Sequence, residues 1–190
     1  MRSMISSLAV VLLTSYTFGL SKPAQTTNKN LYFLLDRDNR WCGYSNEAQW
    51  KSEISLSEID TPIAQVDYAN DRVTAVYATQ RDQAGDWAVY DTYSLDKSGN
   101  LQGLKRVINF LPGRLNEEEM WLIEKGKATK QRSTHRNVVT LEPIPLTDTE
   151  LRDMSLPEVT IVTRVQDFPF WSLMRDKRAE ILSKGKVCNR

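Results

Sequence analysis

Apolar and polar residues divide this chain into a long apolar stretch, a polar tail and a body of short alternating segments. The stretch from Met4 to Leu20 holds Ile5, Leu8, Ala9, Val10, Val11, Leu12, Leu13, Phe18 and Leu20 behind one basic residue, Arg2. It shows no polar face of the kind an amphipathic surface helix carries. A basic start, an apolar centre and small residues after it predict a secretory signal peptide over residues 1–21. Small residues at the required spacing place cleavage after Gly19 or Ser21, whereas Lys22 and Pro23 disfavour a site after Ala24. If retained, the stretch would act as an anchor and bring the protein to a membrane. Ser6, Ser7, Thr14, Ser15 and Thr17 dilute it, against the roughly 20 apolar residues that a span needs. Residues 22–30 are polar and aperiodic, and predict a flexible leader before a single domain over 31–190.

Within that domain, Leu31–Leu35 and Trp41–Tyr44 read as short strands separated by the turn residues Asp36-Arg37-Asp38-Asn39. Ser45 or Asn46 caps a helix running through Ile54, with Trp50 and Ile54 on one face. Thr61–Tyr68, Arg72–Gln80, Trp87–Leu95 and Leu101–Phe110 are rich in β-branched and aromatic residues. The short connections between them force antiparallel neighbours, so they predict a four-stranded meander. Alternation in these strands is imperfect, which predicts that both faces of the sheet are at least partly covered. Asn116-Glu117-Glu118-Glu119 resembles the acidic first turn of a helix, although Met120–Ile123 reads equally as a strand. Asn137–Leu141 and Val159–Val165 read as strands. Thr147-Asp148-Thr149-Glu150 is a capping box for a short helix to about Met154. A final helix is expected from about Phe168 to Ser183, with Gly185 past its end. The fold class predicted is α+β: an antiparallel sheet of about five to seven strands with short flanking helices and a C-terminal helix.

Of the 190 residues, 41% are apolar, enough for a globular core. Lys and Arg total 25 against 24 Asp and Glu, and loss of Arg2 with the signal peptide leaves 24 against 24. This balance gives no reason to expect nucleic acid as a partner, which requires a concentrated basic face. The two cysteines, Cys42 and Cys188, lie near the two ends of the domain and are expected to pair in an oxidising compartment. Neither has CxxC spacing, so redox catalysis is not expected.

Candidate chemistry is sparse. His135 is the only histidine, which argues against a zinc centre. Ser133 and His135 are near neighbours in sequence, but a nucleophilic triad is defined by spatial geometry. Asp36-Arg37-Asp38-Asn39-Arg40 lacks the glycine of a calcium loop and reads as a turn. Among Asp60, Asp67, Asp82, Asp86 and Asp91, most fall at turns. Asp91 lies mid-strand and is expected to pair with Arg72 or Arg106. Lys125, Lys127, Lys130, Arg132 and Arg136 form the one dense basic run, a candidate patch for an anionic partner or a solvated loop. Trp41, Trp50, Trp87, Trp121 and Trp171 are numerous, and are expected mainly in the core.

No catalytic, cofactor or metal site follows from these residues. The sequence predicts a secreted or periplasmic, disulfide-stabilised, non-catalytic domain that binds a protein or envelope component. A carrier of a small ligand or lipid in an aromatic-lined pocket is the alternative. A hydrolase built on paired carboxylates comes third.

Overall fold

The computed structural model describes residues 29–56, 61–147, 150, 154 and 156–189. The predicted signal peptide, most of the leader and Asp60 lie outside them. Among the described residues the chain forms strands β1 (Leu31–Leu35), β2 (Trp41–Tyr44), β3 (Ile63–Ala69), β4 (Arg72–Arg81), β5 (Trp87–Leu95), β6 (Leu101–Phe110), β7 (Leu115–Glu124), β8 (Lys127–Asn137) and β9 (Lys186–Cys188). It also forms helices α1 (Glu47–Leu56), α2 (Trp171–Asp176) and α3 (Arg178–Lys184). All strands join one antiparallel sheet in the order β8-β7-β6-β5-β4-β3-β1-β2-β9. The α+β expectation therefore holds in a coarse form. The protein is mostly sheet, with nine strands rather than five to seven, and little helix.

The hairpin turns explain the length of the meander. Asn70 and Asp71 both adopt positive φ (52° and 61°), giving the two-residue turn whose twist matches the strands it joins. Lys125 and Gly126 (φ 50° and 75°) repeat this geometry between β7 and β8. The meander thus runs through six strands, β3 to β8, rather than four.

Three local readings are overturned. Asn116–Glu119 does not start a helix but lies in β7, where alternation puts Leu115, Glu117, Glu119 and Ile123 inside. Pairing with β6 from Leu115 to Leu122 outweighs the local preference of the acidic run. Of Asn137–Leu141 only Asn137, the last residue of β8, belongs to a strand; residues 138–140 turn, because Asn137 Oδ1 accepts from the N–H groups of Val139 (2.9 Å) and Thr140 (3.1 Å). Val159–Val165 joins no ladder, since it crosses the face of the sheet, where no strand edge is available. It is held instead by side chains: Arg106 Nη1 donates to Val159 O (2.7 Å), and Val162 N donates to the Tyr93 hydroxyl (3.1 Å). The C-terminal helix is divided at Lys177 into α2 and α3. Thr147 and Glu150 make the reciprocal capping bonds, but residues 151–153 lie outside the described set.

Two layers flank β1 and β2. On one face, Leu31 and Phe33 meet Leu173, Met174 and Ile181 of α2 and α3, with Phe33 stacked on Phe170 at 4.7 Å. On the other, Tyr32, Leu34, Cys42 and Tyr44 pack under α1, whose Trp50 indole donates to Phe33 O (3.0 Å). Asn46 caps α1 by accepting from Gln49 N (3.0 Å). Cys42 pairs with Cys188 across β2 and β9, and the two are joined by a disulfide. A disulfide is the chemistry of a non-cytoplasmic compartment. Among the described residues no helix is long and apolar enough to cross a membrane.

Farther along the meander, among the described residues, only one face is covered, by residues 156–170. The opposite face exposes Tyr77, Tyr90, Met120 and Leu122. Among the described residues, both faces are covered at β1 and β2, and one face is left open toward β8.

Candidate functional site

Cross-strand register assembles a charged group on the covered face. One row across the sheet runs Ala64, Ala78, Asp91, Arg106, Glu119, Ser133. Its neighbours run Val66, Val76, Tyr93, Leu104, Trp121, Lys130 and Val89, Ile108, Glu117, His135. Directly opposed side chains on one face stand roughly 5 Å apart. The face is therefore apolar on β3 and β4 and becomes charged from β5 to β8.

Asp91 and Arg106 are buried and bidentate, with Nε and Nη2 each 2.7 Å from a carboxylate oxygen. Burial opposes the guanidinium charge, but the Asp91 hydrogen bonds and charge hold the Arg106 pKa above its ordinary value. Burial, and then the Asp91 charge, push the Tyr93 phenol well above its usual range. The pair expected for Asp91 is thus the one with Arg106. Arg106 also fixes residue 159 over the sheet through its remaining nitrogen.

Beyond Arg106 lies an open cleft of about 630 Å³ between β6–β8 and residues 156–161. Its floor carries Glu117 and Glu119, only 4% and 5% exposed. Glu119 Oε2 accepts from the Trp121 indole (3.0 Å), and its Oε1 is paired with Lys130. Lys130 Nζ also lies 5.1 Å from the centre of the Trp121 ring and 4.0 Å from Glu117 Oε1. Glu117 Oε1 accepts from Ser133 Oγ (2.7 Å) and stands 3.3 Å from His135 Nε2.

Ser133 Oγ is also 3.2 Å from His135 Nε2. Serine and carboxylate thus address the same ring nitrogen. A nucleophilic triad places them on opposite nitrogens, so this arrangement is a hydrogen-bonded cluster and not a triad. Glu117, Glu119 and His135 do not gather three ligand atoms within 4.8 Å. Among the described residues only Asp36, Cys42 and Cys188 do so, and both cysteines are spent in the disulfide.

The basic run is divided rather than gathered. Lys130 faces the cleft. Arg132 and Arg136 sit opposite Met120 and Asn116 on the uncovered side of the sheet, Lys125 lies in the β7–β8 turn and Lys127 follows it. The turn aspartates act locally. Asp36 accepts from the N–H groups of Asp38 and Arg40, and Asp82 from that of Trp87 (3.0 Å). Asp67 accepts from Gln65 Nε2 (2.8 Å). Of Asp67, Asp82, Asp86 and Asp91, no two line the same pocket among those described. Trp41 and Trp50 pack in the core as expected, whereas Trp121 lines the cleft.

Sequence reading passed over Glu117 and Glu119, because the acidic run resembled a helix start. The alternation Leu115, Glu117, Glu119, Trp121, Ile123, with the Lys125-Gly126 turn after it, carried the signal that both carboxylates point inward. An aromatic-lined pocket also exists, bounded by Trp41, Tyr93, Phe168 and Phe170. Its volume is about 140 Å³, under the roughly 300 Å³ at which ligand pockets begin. Compared with known proteins, the chain matches no protein-family model, no curated protein and no solved structure.

Proposed function

We propose that this is an exported, disulfide-stabilised, non-catalytic domain that binds a protein or envelope component, and that the cleft over Glu117 and Glu119 receives it. The observation that carries this reading is the burial of two carboxylates at the floor of an open cleft. Buried ion pairs add little net stability compared with apolar residues of similar size. A charged cleft is thus a poor way to strengthen a sheet and a good way to fix the orientation of a ligand. The non-catalytic part rests on the pairing: Glu119 is held at both oxygens, Arg106 is committed to Asp91, and Ser133 and His135 share one oxygen of Glu117.

The test is site-specific photo-crosslinking of the full chain in its own compartment. A photoreactive side chain replaces Thr160, exposed on the cleft wall, and in a second variant Ala179, exposed on α3. A discrete adduct from position 160 and none from 179 is the expected result. Equal labelling from both positions, or none from 160, would sink the reading.

A second reading, a carboxylate hydrolase, is favoured by one observation. Glu117 and Glu119 share a face of β7 two residues apart, about 7 Å along a strand, within the 5–10 Å span of glycosidase pairs. Turnover of a glycoside, abolished in both E117Q and E119Q, would establish it over the binding reading.

A further inference from the structure

We infer that the cleft recognises a primary ammonium group, and that Lys130 occupies the ammonium position in the free protein. This rests on the binding reading above and names its ligand class. Three features meet at one point. Two buried carboxylates flank it, a tryptophan ring faces it, and a lysine ammonium from a half-exposed side chain sits in it. Carboxylates bind ammonium through charge-assisted hydrogen bonds, and an indole face attracts cations.

The charge balance favours a further cation. Asp91 and Arg106 neutralise each other through their bidentate contact. Glu117, Glu119 and Glu158 then line the cleft with Lys130 as the one ammonium among them. One ammonium therefore serves two buried carboxylates. Lys130 contacts Glu119 and reaches Glu117 only at 4.0 Å. Among the described residues no hydrogen bond reaches Glu117 Oε2, since Ser133 and His135 both address Oε1. Glu117, a buried side chain lining the cleft, thus keeps one oxygen without a protein donor among the described residues.

Lys130 is suited to yield its place. It lies on the terminal strand of the sheet, its side chain is 43% exposed, and its stem is flexible. An incoming alkyl ammonium can take its contacts with Glu119 and Trp121 while Lys130 turns to solvent. Lys130 then acts as an internal competitor that lowers affinity. Two sources supply this chemistry, a free polyamine and a lysine side chain of a protein partner.

Isothermal titration calorimetry of the oxidised protein separates them, using putrescine for the first and Nα-acetyl-lysine amide for the second. Methyl glucoside and glutarate serve as the neutral and anionic probes. The wild type is expected to bind at least one amine and neither control. K130M, which keeps the apolar stem, should bind that amine about tenfold or more tightly, and E119Q about tenfold or more weakly. Matching near-ultraviolet circular dichroism qualifies each variant, and the wild-type titrations stand without them.

Absence of amine binding by both wild type and K130M would overturn the proposal. So would amine binding that E119Q leaves unchanged. If methyl glucoside or glutarate binds and the amines do not, the ammonium assignment falls while the cleft remains a binding site. If in addition position 160 gives no photo-adduct, the binding reading falls with it.

Discussion

Strand β1 has four of its five residues buried, whereas β8, in the same sheet, has none. Around β1 the sheet is covered on both faces, by α1 on one side and by α2 and α3 on the other, and is closed by the Cys42–Cys188 bridge. At β6–β8, among the described residues, one face is uncovered and the other meets a cleft through paired charges. The first end is stabilised by apolar burial, which scales with area removed from water. The second spends buried area on ion pairs, whose desolvation offsets most of their attraction. Rigidity is concentrated at one end and adaptable polar chemistry at the other, a division suited to a scaffold that carries a site.

The largest expected effect lies at the closed end. The disulfide spans 146 residues, for which loop-entropy reasoning gives about 5 kcal/mol. The Cys42→Ala/Cys188→Ala double variant should lower the urea midpoint accordingly and release β9 from β2. An unchanged midpoint would remove the bridge from the comparison.

Next comes the boundary between the two ends. Arg106→Met alone leaves Asp91 buried without its charged partner, with only the Tyr93 hydroxyl still donating to it (3.3 Å), and should cost about 3–5 kcal/mol. Combining it with Asp91→Leu should restore most of that loss, because the pair contributes specificity more than stability. Chemical denaturation of both variants decides this, and a double variant as unstable as the single one would show that the pair itself is stabilising.

A smaller contrast concerns two glycines. A Cβ on Gly43 would stand 2.6 Å from Cδ1 of the fully buried Ile181 and 3.1 Å from the Phe33 ring, so packed side chains would have to shift. Gly43→Ala should cost about 1–3 kcal/mol. At Gly103, on the uncovered face, the nearest atom would be the Ser94 hydroxyl at 3.2 Å. Gly103→Ala should be neutral or stabilising by about 0.5–1 kcal/mol, since alanine restricts the unfolded chain. Thermal unfolding of the two variants gives the comparison directly.

The smallest effect is a pH dependence. Burial pushes the Tyr68 phenol up to about 12, with Arg178 opposing it. Its folded pKa is therefore above the unfolded value of about 10. The stability that neutral Tyr68 contributes is present below about pH 10 and is lost as pH rises through 12. Tyr68→Phe should gain stability relative to the wild type over that interval and match it below. Unfolding midpoints measured from pH 8 to 12 would show whether the two curves diverge.

Much of the architecture is legible in the sequence. The Val, Thr, Tyr and Trp periodicity locates β3 to β6, and Asn70-Asp71 makes the turn chemistry of the first hairpin explicit. Asn46 and Trp50 place α1, and two cysteines near opposite ends suggest their own pairing. The readings fail where a local signal competes with a partner distant in sequence. Asn116–Glu119 resembles a helix start because acidic residues favour that position. Val159–Val165 resembles a strand because β-branched residues fit any extended backbone.

The site itself was least legible. Glu117 and Glu119 on β7 gain meaning only once Arg106 on β6, Lys130 and Ser133 on β8, and residues 156–161 surround them. Sequence alone determined where extended segments and turns fall, because backbone preference and alternation act over a few residues. The tertiary structure decided which carboxylates are buried, which lysine leaves the basic run to face them, and where the cleft opens. Those properties depend on register across strands and on a segment some 30 residues away, and local physics has no means of encoding them.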